Sequence, residues 1–244
     1  MGSMSELMIE MQNEHADEWI RERLEDESSD EDSDEYQELA TEYSQLQDYL
    51  AEQAEFEAEL QWLKENGSSI IHKNFLEELE ELKEIEETTS TTRTYLISRM
   101  TYAYAVTLLE AFLGDTAKSL ISEKEMFFTN SRQINELKKA RYSLEFLSTN
   151  ELDAKGLAIR ELSNIHYHNI PKVKRIFEII LGTKIEFDIS ELDKITKVRH
   201  DIVHRNGKTK AGESIYLNRD DMLEMISHIE IFSNELQLLI NEKA

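Results

Sequence analysis

The sequence predicts an all-α fold, an antiparallel helical bundle preceded by an acidic helical arm or hairpin. Three observations carry this. The 244 residues include one proline and seven glycines. Leu, Glu, Lys and Ala are abundant, and apolar residues recur every three to four positions, the period of a helix with one buried stripe. Strand-like alternation is nowhere sustained. Charge then divides the chain: residues 1–90 carry 29 of the 51 acidic residues and 5 of the 27 basic ones, so the net charge of −24 resides there and residues 91–244 are neutral. The acidity of the first part therefore does not exclude a polyanionic partner for the second.

With no cysteine, a disulfide framework, zinc–thiolate cluster, iron–sulfur site or cysteine nucleophile is excluded, and the composition fits a reducing cytosol. No apolar run approaches the ~20 residues that span a bilayer, and no basic-then-apolar leader opens the chain. The expectation is a soluble, cytoplasmic protein. Met1-Gly2-Ser3 ahead of Met4 reads as a cloning remnant.

Residues 1–35 form an acidic, partly disordered segment, because the run Glu25–Glu35 has nothing to bury. Asp30, Asp32 and Asp34 have the opening spacing of a calcium loop, but Glu35 and Thr41 stand where such a loop needs glycine and glutamate. Residues 36–90 read as an acidic helical hairpin. Tyr36, Leu39, Tyr43, Leu46 and Leu50 mark a helix ending at Asn66-Gly67, and Phe75, Leu79, Leu82 and Ile85 mark its partner. This arm is either a solvated helical pair, a cover for a basic site in cis, or a docking element for a partner. Thr88–Thr92 resists helix and sets the boundary of a bundle over 91–244.

The bundle opens with a helix that is apolar almost all round from Tyr102 to Gly114, the mark of a central, buried helix. Glu110 is the one charge inside that run. It either points out along a narrow polar edge or is buried and needs a cation. Helices are expected over roughly 131–148, 155–169 and 171–181, the last opening at Pro171. Ser190 with Asp193 caps the next, and Asn218 with Asp220 and Asp221 caps a final helix with Met222, Ile226, Ile229, Phe232, Leu236 and Leu239 on its seam. His166 and His168, two apart on an expected helix, point away from each other and read as surface residues. No metal set, glycine-rich phosphate loop or nucleophile elbow is present.

The helix from Ser190 carries the chemistry. Leu192, Ile195 and Ile202 are spaced as core residues, and the position completing their pattern is Arg199. An arginine there requires something anionic, either Glu110, a substrate phosphate, or both in turn. His204 lies about 140° round an ideal helix from Arg199, whereas His200 and His204 nearly align. Arg199 and His204 meet around one substrate only where the helix ends, and Asn206-Gly207 supplies an end. Lys194, Lys197, Arg199, Arg205, Lys208 and Lys210 face the single acid Asp201 between 194 and 210, a polyanion footprint. Helix-dipole preference alone accounts for His204, Arg205 and Lys208 but not for Arg199.

Arg199-His200-Asp201-Ile202-Val203-His204, late in an all-α bundle with a buried, acid-bearing helix before it, resembles the Arg-x4-His motif of the HEPN superfamily over roughly residues 91–244. The resemblance implies a metal-independent endoribonuclease of toxin–antitoxin or anti-phage systems, without cofactor, working as a homodimer whose paired motifs line one cleft. It implies that His204 is general base or acid and that Arg199 holds the phosphate. His200, Asp201 and Asn206 become auxiliary candidates, and Glu110 the residue that orients Arg199. A regulatory partner or antitoxin would use the acidic arm. The alternative is a HEPN-like dimer that binds RNA, nucleotide or protein without cleavage.

Overall fold

A computed structural model describes residues 4–26, 29–88, 94–149 and 152–243. The expectations for Met1–Ser3 and for most of the Thr88–Thr92 boundary lie outside the described residues. Among the described residues every regular element is a helix, and Lys208 and Ser214 form one isolated antiparallel bridge. The chain is thus an all-α, multi-helix protein, and it divides into two compact units, Met1–Glu59 and Leu60–Ala244.

The first unit holds α1 (Met4–Arg21) and most of α2 (Asp34–Glu65). The opening segment is therefore largely helical. Acidic side chains find local cations and hydroxyls: Asp17 binds Arg21 at 2.7 Å and accepts the Tyr36 hydroxyl at 3.0 Å. Both hold its carboxyl below the usual range, Arg21 more strongly. Trp19 and Tyr43 approach at 5.4 Å between ring centroids.

The second unit begins before the boundary expected at 88–92. Helix α3 (Ser68–Thr88) belongs to this unit and not to an acidic arm, because Ile71, Phe75, Leu79 and Leu82 are buried. It packs on α4 (Thr94–Glu123) with Phe75 stacked on Phe112 at 4.5 Å, and on α11 (Arg219–Lys243) through Lys83–Glu230 at 2.5 Å. Counting acidic residues hid this, since the apolar seam of α3 decides its place and its charges lie on the other face.

Helix α4 is the axis of the unit, as its sequence requires. Ala105, Val106, Leu109, Leu113 and Ala117 have no exposure. After α5 (Glu125–Ser131) ends, the expected helix over 131–148 is instead two short ones, α6 (Asn135–Lys139) and α7 (Leu144–Thr149). Helix α8 (Ala154–Ser163) stops before His166, so His166 and His168 lie in a turn with rings 5.7 Å apart. Asn169 caps α9 (Ile170–Leu181) by accepting from the Lys172 amide at 3.1 Å, and Gly182 closes it at φ 65°.

Helix α10 (Ser190–His204) starts differently from its expected cap. Asp188, rather than Asp193, binds Ser190, accepting its amide at 2.9 Å and its hydroxyl at 2.6 Å. The start of α11 follows expectation: Asn218 accepts the Asp221 amide at 3.0 Å and Asp221 accepts the Asn218 amide at 2.9 Å.

Candidate functional site

Helices α4 and α10 build the site. They run antiparallel, since Tyr102 of α4 donates to the Ile195 carbonyl at 3.3 Å while Arg99, nearly one turn earlier, reaches Gly207 beyond the end of α10. Buried Leu192 and Ile195 seat α10 against the core and fix which residues face outward.

Arg199 lines a groove of about 590 Å³ between α3, α4 and α10, together with Leu82, Met100, Ala103, Tyr104 and Val203. The groove is mainly apolar. The Arg199 Nε is buried without a hydrogen-bond partner, and no ion pair reaches this guanidinium among the described residues. The seam reading thus meets a cation in an apolar setting. Glu110 does not compensate it. Helix α4 presents Met100, Ala103, Tyr104 and Thr107 at the groove, and Glu110, beyond Thr107, is not part of its wall. Glu110 is half-buried, with its Oε1 buried and unpartnered, and among the described residues no ion pair joins it to Arg199.

His200 and His204 are both exposed, with ring centroids 4.7 Å apart, as residues four apart on a helix should be. Helix α10 stays helical through His204. Arg199 and His204 therefore keep the angular separation of about 140° that five helical steps impose, and no hydrogen bond joins them within the chain among the described residues. The expected rotation of His204 toward Arg199 by helix termination does not occur, because the helix ends after His204.

That ending is built by Asn206 and Gly207, at φ 52° and φ 69°. The Gly207 amide donates to the carbonyls of Asp201 at 3.1 Å and Ile202 at 3.2 Å, satisfying acceptors the helix leaves open. The Asp201 carboxylate is taken by Arg205 in an i, i+4 pair, so it is not oriented at His204. Lys194 and Lys197 bind Glu191 at 2.7 Å and Asp193 at 2.5 Å. Three of the basic residues counted from sequence thus have carboxylate neighbours, while the side chains of Lys208 and Lys210 have no ion-pair partner among the described residues. The exposed pairs of Lys194 and Lys197 are weak and exchange readily for a phosphate, whereas Arg205–Asp201 is partly buried.

Sequence reasoning missed Arg99 and Tyr95. The Arg99 guanidinium donates to the Gly207 carbonyl at 2.9 Å and lies 4.0 Å above the Tyr95 ring. The Tyr95 hydroxyl accepts from Arg99 and donates to the Ile215 carbonyl at 2.8 Å. The Ile215 amide returns to the Gly207 carbonyl at 2.9 Å. The start of α4 thereby clamps both ends of the loop that follows the Arg199–His204 segment. Any side chain at position 207 would collide with Arg99. The available signal was a cation three residues ahead of Tyr102 on the buried helix, with a tyrosine one turn before it.

No group of three or more His, Asp or Glu side chains is placed to hold a metal ion among the described residues. No described helix is long and apolar enough to cross a membrane. The model of the family described as RiboL-PSP-HEPN matches residues 72–242. No curated protein and no solved structure matches the chain.

Proposed function

The chain belongs to the RiboL-PSP-HEPN family, and from that premise we propose that it is a metal-independent endoribonuclease of a toxin–antitoxin or anti-phage system. The observation that carries this is Arg199, a guanidinium without a counterion among the described residues, in an apolar groove on the motif helix. A phosphodiester supplies the missing anion, and the planar fork of donors suits both it and the extra charge of the transition state. His204, exposed near the end of α10, takes the proton of the 2′-hydroxyl or returns one to the leaving oxygen. The 2′-oxygen attacks phosphorus, the P–O5′ bond breaks, and the proton removed from the 2′-oxygen is balanced by one delivered to the 5′-oxygen. The products are a 2′,3′-cyclic phosphate and a 5′-hydroxyl.

A second copy of the chain completes this site. Arg199 and His204 project from different faces of one helix, and Met100, Tyr104 and Val203 beside Arg199 expose 63%, 49% and 49% of their surface. An apolar face of this kind is what a homodimer covers. Pairing two α10 helices brings a groove arginine and an exposed histidine from both chains to one cleft. On α1, Leu7, Met8 and Met11 form an exposed apolar stripe in an acidic setting, which suits an antitoxin or regulatory partner with a basic apolar groove.

Purified protein is expected to cut single-stranded RNA in EDTA, and His204→Ala to lower the rate by about 10²–10⁴-fold with the circular dichroism spectrum unchanged. Undiminished cleavage in that variant would refute the assignment. The separation of Arg199 from His204 within one chain favours one other reading, a dimer that binds RNA, nucleotide or protein without cleaving it. Binding with no turnover in any divalent-free or divalent-containing buffer supports that reading.

A further inference from the structure

A second cavity lies away from the motif helix, where α5, α6 and α8 meet. It is a slot of about 300 Å³ walled by Phe128, Leu137, Tyr142 and Leu157, with Arg132 and Glu161 also lining it. Its volume is at the lower end of the roughly 300–1,000 Å³ common for small-ligand sites.

The surroundings have the chemistry of a single-strand platform. The Arg132 guanidinium and the Lys155 ammonium lie 5.9 Å and 5.8 Å from the Phe128 ring centroid. Arg160 lies 5.2 Å from Phe146, which stacks on Tyr142 at 5.1 Å. Aromatic faces interleaved with cations hold a stacked base and its phosphate together. Charge agrees, since residues 124–184 carry 11 basic against 7 acidic residues in a chain of net −24.

One group selects among bases. Glu161 is half-buried on α8, and its Oε1 accepts the Tyr142 hydroxyl at 2.7 Å. Burial, reinforced by Glu161, pushes the Tyr142 phenol up, so this hydroxyl stays a donor and fixes one carboxylate oxygen. The Oε2 has no partner among the described residues. Guanine presents N1–H and N2–H side by side, one for Oε2 and one for the remaining lone pair of Oε1, while uracil offers one imide N–H and adenine and cytosine one amino group.

Resting on the ribonuclease reading for its substrate class, we propose that this slot binds one guanine base of single-stranded RNA, outside the Arg199–His204 site, and sets which RNA is held. Sites that hydrogen-bond a donor edge reject ligands that lack it far more strongly than apolar pockets reject a change of size.

The test uses 5′-mononucleotides, which contain no internucleotide bond to cleave, and saturation-transfer NMR on the full chain. GMP should bind about tenfold or more tightly than AMP, CMP or UMP. Glu161→Gln should remove that preference, and Phe128→Leu should weaken all four, with thermal melts verifying that both variants fold. Equal binding of the four nucleotides, or a preference for GMP that survives Glu161→Gln, would overturn the proposal. So would GMP binding that disappears in Arg199→Ala, because the nucleotide would then be at the motif. Cleavage of RNA without GMP binding removes the slot and leaves the ribonuclease reading. GMP binding through Glu161 in a chain that cuts no RNA keeps a nucleotide site and removes that reading.

Discussion

Two arginines flank the end of α10 with different sets of partners, though each has a buried Nε without a hydrogen-bond partner among the described residues. On one flank Arg99 is engaged by the Gly207 carbonyl and the Tyr95 ring, and Tyr95 continues the chain of bonds to Ile215. On the other flank Arg199 stands in an apolar groove with its Nε buried and no counterion among the described residues. Folding has given the first a backbone carbonyl and an aromatic face, and among the described residues it has given the second neither. Since a cation withdrawn from water costs free energy unless an anion meets it, the flank that lacks partners is the one expected to bind, and the flank that has them is the one expected to hold the binder in place.

The largest effect should separate these roles. Arg199→Leu is expected to lower RNA cleavage by about 10²–10³-fold, the usual cost of one charge-stabilising donor, while the thermal midpoint stays level or rises because leucine suits the groove better. A marked fall in the midpoint would make Arg199 structural and erase the contrast. Arg99→Ala should do the reverse. Loss of a charge-assisted bond to a carbonyl costs about 1.5–3 kcal/mol in stability, and cleavage should fall less than in Arg199→Leu, through kcat rather than KM, since only the placement of His204 is disturbed.

The clamp can be tested more finely at Gly207. Its φ of 69° and the Arg99 side chain against it both exclude a larger residue. Gly207→Ala should cost about 1–2 kcal/mol for the left-handed conformation, plus whatever displacing Arg99 costs. In the Arg99→Ala background the second cost vanishes. The double variant should then be more stable than the sum of the single effects predicts by at least about 0.5 kcal/mol. Strict additivity in urea melts would mean that Arg99 and Gly207 are neighbours without a shared function.

These residues also show what could be read without coordinates. The axis α4 was legible because its apolar surface leaves no room for solvent on most sides, and Asn206-Gly207 because few residues accept positive φ. Arg199 was legible as a charge out of step with its seam. Arg99 was not, because its backbone partner, the Gly207 carbonyl, comes from the far end of the fold and no spacing rule encodes it, although the Tyr95 ring one turn before Arg99 is a local neighbour. The place of α3 failed for a related reason, since net charge describes a helix's solvent face and its seam describes its neighbours. The separation of Arg199 from His204 was computable from helical geometry, and Asn206-Gly207 marked the helix end to within the residue or two over which caps compete.

The smallest predicted effect concerns the lysines around the motif and whether their partners matter. Lys208 and Lys210 have no side-chain ion pair among the described residues, whereas Lys194 and Lys197 are bound to Glu191 and Asp193. A phosphate contact by an unpaired lysine releases a counterion, so Lys208→Ala and Lys210→Ala should each lower the slope of log affinity against log salt by about 0.7, the single-strand value per contact. Lys197 must first leave Asp193, and that carboxylate then faces the RNA uncompensated, so Lys197→Ala should change the slope less than either. Thermal midpoints should not move in any of the three, because exposed charges contribute little to folding. If Lys197→Ala matches Lys208→Ala in slope, the intrahelical pairs on α10 do not restrain its cations, and the footprint is set by how many lysines it holds rather than by which of them are paired.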